Sequence, residues 1–496
     1  MKKEFIFSVS TNAFQIEGAR SLGGRTDSIW DEFTKRNFYI PALGKAEREI
    51  NSIEIAADFY HKYKTDCRIM DKLGLKGFVY NMDWTRIFPK DENYINPEGI
   101  KFYIDLFEEL NKYGIKPIPI LFHWDTPLWA EIRGGFENPE IIQWFKNYVE
   151  CCFKYLGKYT DIWFVNDENS SFAQSGYITG DFPPGKKDKT AFVKVLHNLN
   201  MSAAITMEEF KKAKDKGLLS KESILGIDHD WSPPVPYTDS KEDIEACEKY
   251  NEWWKDLYLD PNLKGEYPKV FLEFIKDNKI DVTFSKEDLQ YLKNNKLDFI
   301  GWNYYRPIYV TANDFEYDET KFISPPSKTH LKNVNFVQPI EKKYTKWKWP
   351  VDNTKLVEGA KRLSKDYGKN IPIMIIENGF GDFDDKSKDL ILDWDRIEYL
   401  KDHIQETLRA KEEGVNMIGY SLWTYCDIFS PSGGYRKDYG LVSVDFNSPI
   451  RERKPKASFA WYKKIIENEG KELEYSQSEI ISDLTGILKD WDIFYK

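Results

Sequence analysis

Residues 371–379 read IPIMIIENG, an apolar and β-branched run that stops abruptly on Glu377 and Asn378. A run this short, closed by a glycine and followed by a helical pattern, reads as a strand buried on both faces, as strands of parallel sheets are. Seven other stretches read the same way. They are FIFSVST from Phe5, LKGFVYNMD from Leu75, KPIPILFHW from Lys116, DIWFVNDE from Asp161, ILGIDHDW from Ile224, LDFIGWNYY from Leu297 and VNMIGYSLW from Val415. Helical patterns lie between them, among them IEIAADFYHKYKTDCRIMDKL, PEIIQWFKNYVECCFKYL and DWDRIEYLKDHIQETLRAKEEG. In the last, Ile397, Leu400, Ile404 and Leu408 share one helical face and Gly414 stands as the C-terminal cap.

Parallel neighbours need crossover connections, so eight strand–helix units imply a parallel sheet. Eight is also the number that closes a barrel. The expected fold is α/β, one (β/α)8 TIM barrel domain spanning residues 1–496. Such a barrel needs only about 250 residues. The surplus is expected in long βα loops at 9–55, 169–190, 231–245 and 306–352, which are rich in Pro, Gly or charge. No linker, internal repeat or low-complexity tract interrupts the pattern.

The chain has 496 residues, with 71 Lys+Arg against 81 Asp+Glu, a formal charge of −10. That balance argues against a nucleic-acid or anionic-membrane binder, which would need clustered cations. Aromatic residues make up 16%, enough for a large core and a pocket that stacks on its ligand. The five cysteines (Cys67, Cys151, Cys152, Cys247, Cys426) lack C-x-x-C spacing, which suggests neither disulfides nor zinc and points to a reducing compartment. Glu4, Gln15 and Glu17 break up the N-terminal stretch before any signal-peptide core forms, and no apolar run approaches the ~18 residues of a membrane helix. A soluble, cytoplasmic protein is expected; the sequence is silent on oligomeric state.

Chemistry in such a barrel occurs at the C-terminal ends of its strands. Those ends are polar here: Asn81-Met82-Asp83, His123-Trp124-Asp125, Asn166-Asp167-Glu168, Asn303-Tyr304-Tyr305 and Glu377-Asn378. One carboxylate at a strand end is ordinary, but Glu168 and Glu377 end two separate apolar strands. Paired carboxyl groups suit glycosidic cleavage, where one protonates the leaving oxygen and the other attacks or stabilises the anomeric carbon. No metal or cofactor is expected. Only six histidines are present, with no HExxH spacing, and no Walker, dinucleotide or G-x-S-x-G fingerprint occurs.

Several motifs follow one another in the order seen in glycoside hydrolase family one, the retaining β-glycosidases, and the chain resembles that family over nearly its whole length. FSVSTNAFQIEGA resembles the N-terminal signature, followed by SIWDEF, DFYHKYKTD, WTRIFP, FHWDTP and GYITGDFPPG. IIENG resembles the nucleophile motif, and RIEYLKDHI and RKPKASFAWYKK the C-terminal part. The resemblance implies Glu377 as nucleophile, Glu168 as general acid/base and Tyr305 as donor to the nucleophile. It also implies sugar contacts from Gln15, His123 and Trp423, with Asn303 in support. The implied mechanism is double displacement with carboxyl groups ~5–5.5 Å apart.

The segment WTYCDIFSPSGGYRKDYG carries Ser430, Lys437 and Tyr439 at the spacing by which 6-phospho-β-galactosidases hold a sugar phosphate. Ser, Lys and Tyr offer donors and a positive charge where a Glu would repel the phosphate. The implied substrate is a small-molecule 6-phospho-β-glycoside. Alternatives are an unphosphorylated or 2-modified sugar such as a 2-amino sugar, or a barrel that binds a glycoside without cleaving it.

Three positions depart from the family pattern. Asp167 replaces the asparagine that donates to the sugar 2-hydroxyl, so it is expected to accept from that hydroxyl, to be protonated, or to pair with a 2-ammonium group. Val79 stands where the family has an arginine beside the nucleophile, with Asn81 and Asp83 expected on the same inward face. Pro431 replaces the tryptophan typical of phosphogalactosidases, which leaves gluco against galacto preference open.

Overall fold

The computed structural model describes residues 5–35, 38–40, 45–47, 53–431 and 433–495. Eight strands close into a barrel: β1 (Ile6–Thr11), β2 (Gly77–Asn81), β3 (Lys116–Phe122), β4 (Ile162–Asn166), β5 (Ile224–His229), β6 (Phe299–Asn303), β7 (Ile373–Asn378) and β8 (Met417–Trp423). Their order around the barrel is their order in the chain, every neighbour is parallel, and β1 closes against β8 with Ser10 opposite Trp423. All eight strands read from the sequence are present.

Strand alternation divides the apolar residues into two layers. Val79, Ile118, Ile120, Ile162, Phe164, Phe299, Met374 and Ile376 point inward and fill the barrel. The residues between them, such as Phe78, Tyr80, Trp163, Val165, Ile373 and Ile375, pack outward against the surrounding helices. Gly301 is required by this interior, because a Cβ there would come within 2.6 Å of the Phe164 ring and 2.8 Å of Ile376.

The helices obey local signals. Asn96 caps the helix Pro97–Lys112 by accepting from the Glu98 N–H at 3.2 Å, with Pro97 in its first turn. The helix after β1 starts at Phe59 rather than at Ile53, because Asp58 takes a left-handed φ of 57° that breaks the pattern. The helix Trp394–Glu412 ends on Glu413, and Gly414 (φ 93°) sits one residue beyond the cap. Among the described residues no helix is long and apolar enough to cross a membrane.

The expected loops hold more structure than their composition suggests. Pro234–Pro236, Ile308–Thr311, Ser327–Lys328 and Asn335–Val337 form a four-stranded side sheet out of segments 231–245 and 306–352. Segment 169–190 contains a π-helical stretch, Ser171–Thr179. Segment 9–55 lies partly outside the described residues; its described part includes the short helices Ala13–Ile16 and Ile29–Phe33.

Candidate active site

Strict alternation along β7 would turn Glu377 outward, since Met374 and Ile376 already face the barrel interior. The ladder slips between Ile375 and Glu377 against β6, and between Ile375 and Asn378 against β8. This bulge makes Ile376 and Glu377 both face inward and upward, and it sends Asn378 outward. There Asn378 donates to the Tyr304 carbonyl at 2.6 Å and to the Tyr399 hydroxyl at 3.0 Å.

Glu377 and Glu168 line one cavity of about 320 Å³ at the C-terminal mouth of the barrel. Tyr305 Oη donates to Glu377 Oε2 at 2.6 Å. Asn303, on the strand next to β7, donates from Nδ2 to Glu168 Oε1 at 3.0 Å and to Asp167 Oδ1 at 3.1 Å. Glu168 itself adopts a left-handed φ of 42°, a costly conformation for a non-glycine residue, and Trp124 at the end of β3 does the same with φ 68°.

Of the other residues singled out from the sequence, Gln15, His123, Asn303, Tyr305, Trp423, Ser430 and Tyr439 also line this cavity. The Gln15 amide donates to the Phe429 carbonyl at 2.7 Å, tying the first loop to the last. Asp167 and Lys437 stand behind the lining. Asp167 is fully buried, with Oδ2 2.9 Å from His123 Nδ1 and its backbone carbonyl accepting from the Trp124 indole at 3.0 Å. Lys437 is 2% exposed, covered by aromatic rings, with Nζ 3.7 Å from the centre of the Trp349 ring and 4.9 Å from that of Tyr439. A hydrophilic loop composition does not predict that burial.

The electrostatics are dominated by acids. Burial raises Glu377 well above the ordinary carboxyl range, and Asp167 and Glu168 raise it further; the Tyr305 hydrogen bond only partly opposes them. Glu168 is raised well above its usual value by burial and then by Asp230 and Asp167. Among the described residues no Lys or Arg pairs with either carboxyl. Where the family resemblance places an arginine, Val79 completes the apolar filling of the barrel. Asn81 accepts from the Ala13 N–H. Asp83 does not share that inward face: it caps the helix Trp84–Ile87 and pairs with buried Arg25. A residue just past a strand end is aimed by its turn, and no longer by the pleat.

Two residues were missed. Asp228, on β5, is fully buried, and its oxygens meet no donor among the described residues. Burial, then the charges of Asp167, Glu377 and Glu168, raise it well above the usual carboxyl value, which favours its protonated form. The signal was an acidic residue at the second-last position of a strand otherwise apolar. Arg306, directly after Tyr305, lines the cavity and lies over Trp349 with its guanidinium carbon 5.0 Å from the ring centre.

Among the described residues, two groups could present three ligand atoms to a metal ion. His123, Asp167 and Glu377 bring theirs within 4.8 Å of one another, which is also the spacing of a hydrogen-bonded His–Asp pair beside a third acid. Asp384, Asp427 and Asp438 form the other group, and there Lys386, Lys456 and Arg396 already supply the positive charge.

The closed parallel barrel is similar over nearly its whole length to solved β-glucosidases. A β-glucosidase from Thermotoga maritima in complex with glucoimidazole superposes with a TM-score of 0.83, at 29% identity, covering 95% of this chain and 100% of that one. The glycosyl hydrolase family 1 model matches residues 1–471, and the chain belongs to that family. It is 33% identical to the aryl-phospho-β-D-glucosidase BglC of Bacillus subtilis, over 95% of this chain and 98% of the relative. Identity is 34% both to β-glucosidase A of Acetivibrio thermocellus (94% and 98% covered) and to the 6-phospho-β-galactosidase of Clostridium acetobutylicum (96% and 99% covered). The protein is a β-glycosidase, a hydrolase of glycosidic bonds.

Proposed function

We propose that the chain acts as one barrel domain, a retaining β-glycosidase in which Glu377 is the nucleophile and Glu168 the general acid/base. The observation that carries this reading is the placing of both carboxyls on one cavity, with Tyr305 bonded to Glu377 and Asn303 to Glu168. Glu377 attacks the anomeric carbon while Glu168 protonates the departing glycosidic oxygen, giving a glycosyl-enzyme ester. Glu168, now ionised, takes a proton from water; that water attacks the anomeric carbon and releases Glu377. Raised affinities for protons suit Glu168 as acid. Tyr305 is the donor that favours the ionised form of Glu377.

The preferred substrate in this reading is a small-molecule 6-phospho-β-glycoside. Ser430 and Tyr439 line the cavity with Lys437 behind them, and two of the relatives named above are phosphoglycosidases. Cytoplasmic residence fits the five unpaired, buried cysteines. The test compares a chromogenic aryl β-glycoside with its 6-phosphate. The phosphorylated form should have the higher kcat/KM, and Lys437→Ala should erase most of the difference; equal turnover by the native enzyme overturns the phosphate assignment. The burial of Lys437, together with the likeness to β-glucosidase A, favours a second reading in which the sugar is unphosphorylated.

A further inference from the structure

We propose that Arg306 is a second cation for the substrate phosphoryl group, acting with Lys437 from the other side of the cavity wall. This rests on the phosphoglycoside reading above and adds a residue to it. Arg306 leaves the barrel directly after Tyr305, between the end of β6 and Ile308–Thr311, and its side chain lines the cavity.

Among the described residues Arg306 forms no ion pair and no side-chain hydrogen bond; its guanidinium lies over the Trp349 ring. Stacking engages the face of a guanidinium and leaves its in-plane N–H donors open. Lys437 Nζ lies against the same indole at 3.7 Å, likewise without an acidic partner among the described residues. Burial is the larger cause that weakens the charge on Lys437, and nearby Arg306 is the next.

Two cations held against one ring, largely out of water, without a counter-ion repel one another. Nothing in the packing requires them: the Trp349 and Tyr439 rings could rest on hydrocarbon. The nearby acids do not relieve the pair, since Glu377 is bonded to Tyr305, and Asp230 accepts from the Ser170 and Ser171 hydroxyls. A phosphoryl group matches the arrangement. It brings close to two negative charges and three acceptor oxygens, against a single charge on a carboxylate. Bound there, it would neutralise both cations and restore the full charge of Lys437.

The test uses the full chain with Arg306→Gln, Arg306→Lys and Lys437→Ala. It reads the ratio of kcat/KM for an aryl β-glycoside 6-phosphate over the plain glycoside, and the inhibition constant of inorganic phosphate. Arg306→Gln should lower the ratio by about ten- to hundredfold, the worth of one charge-assisted contact, and weaken phosphate inhibition by about tenfold. Arg306→Lys, which keeps the charge but loses the fork, should fall between Gln and the native enzyme, and it decides the matter if the Gln variant does not fold. If the ratio and the inhibition constant stay native in the Arg306 variants while Lys437→Ala loses both, the role of Arg306 is refuted and the phosphate reading stands. A native enzyme with no preference for the phosphate refutes both.

Discussion

The Tyr305 hydroxyl donates to Glu377 Oε2 at 2.6 Å, and among the described residues it makes the only side-chain hydrogen bond to that carboxyl. With Asp167 and Glu168 nearby and Val79 in the floor, Tyr305 is the polar contact that favours the ionised form of the proposed nucleophile, partly opposing the burial and the acids that raise its proton affinity.

Tyr305→Phe removes that donor without changing the shape of the wall. A hydrogen bond to a charged group contributes about 1.5–3 kcal/mol, so kcat/KM should fall roughly 10- to 100-fold. Steady-state kinetics on an activated aryl glycoside checks this; a change below twofold would show that another group activates Glu377.

The pH–rate profile should be displaced toward alkaline pH on both limbs. Glu377 must lose its proton to attack, and burial with the neighbouring acids raises its pKa, so activity should decline as pH falls through a value above the ordinary ~4.3 of Glu. Glu168 must keep its proton, and its own raised pKa extends activity upward before the alkaline limb falls. The profile of kcat/KM measures both limbs, and an acid limb at the ordinary glutamate value contradicts this account.

Glu377→Gln should reduce turnover by about 10⁴-fold or more, because no covalent ester can form. Glu168→Gln should cost about 10²–10⁴-fold on poor leaving groups and much less on those needing no proton. A 2-deoxy-2-fluoro glycoside should label the native enzyme at Glu377, detectable as a mass increase on the peptide containing IIENG. A label on another residue would reassign the nucleophile.

Asp228→Asn should stabilise the fold at neutral pH. The fold favours the protonated form of Asp228, whose proton the unfolded chain releases above about pH 3.9, so native stability falls as pH rises toward the elevated folded-state value. Asparagine has no proton to release in either state. The variant's gain in Tm should grow as pH rises above about 4 and shrink toward that value; a gain independent of pH would show that the Asp228 pKa is not raised in the native protein.

Most of the barrel was legible because each strand is a short apolar run with a polar end, and the hydrocarbon on both faces leaves no other reading of a segment such as IPIMIIENG. The two glutamates were legible for the same reason: a carboxyl ending a doubly buried strand is conspicuous. What was not legible depends on the third dimension. The bulge that turns Glu377 inward is a register slip against two neighbours, invisible along one strand. Lys437 reads from the sequence as a cation for a sugar phosphate, but its burial was not legible, because the rings that close over it come from the distant segment around Trp349. Asp228 lay inside the strand reading ILGIDHDW, where burial and its acidic neighbours across the barrel, and not its own sequence, raise its affinity for a proton.

The hydrocarbon plug beneath the site has a consequence for proton traffic. Val79, Ile120, Phe164, Met374 and Ile376 carry no group that could pass a proton, so none reaches Glu168 or Glu377 through the barrel floor. In the proposed mechanism, the proton that Glu168 gives up and later recovers from water is therefore exchanged on the cavity side of that plug.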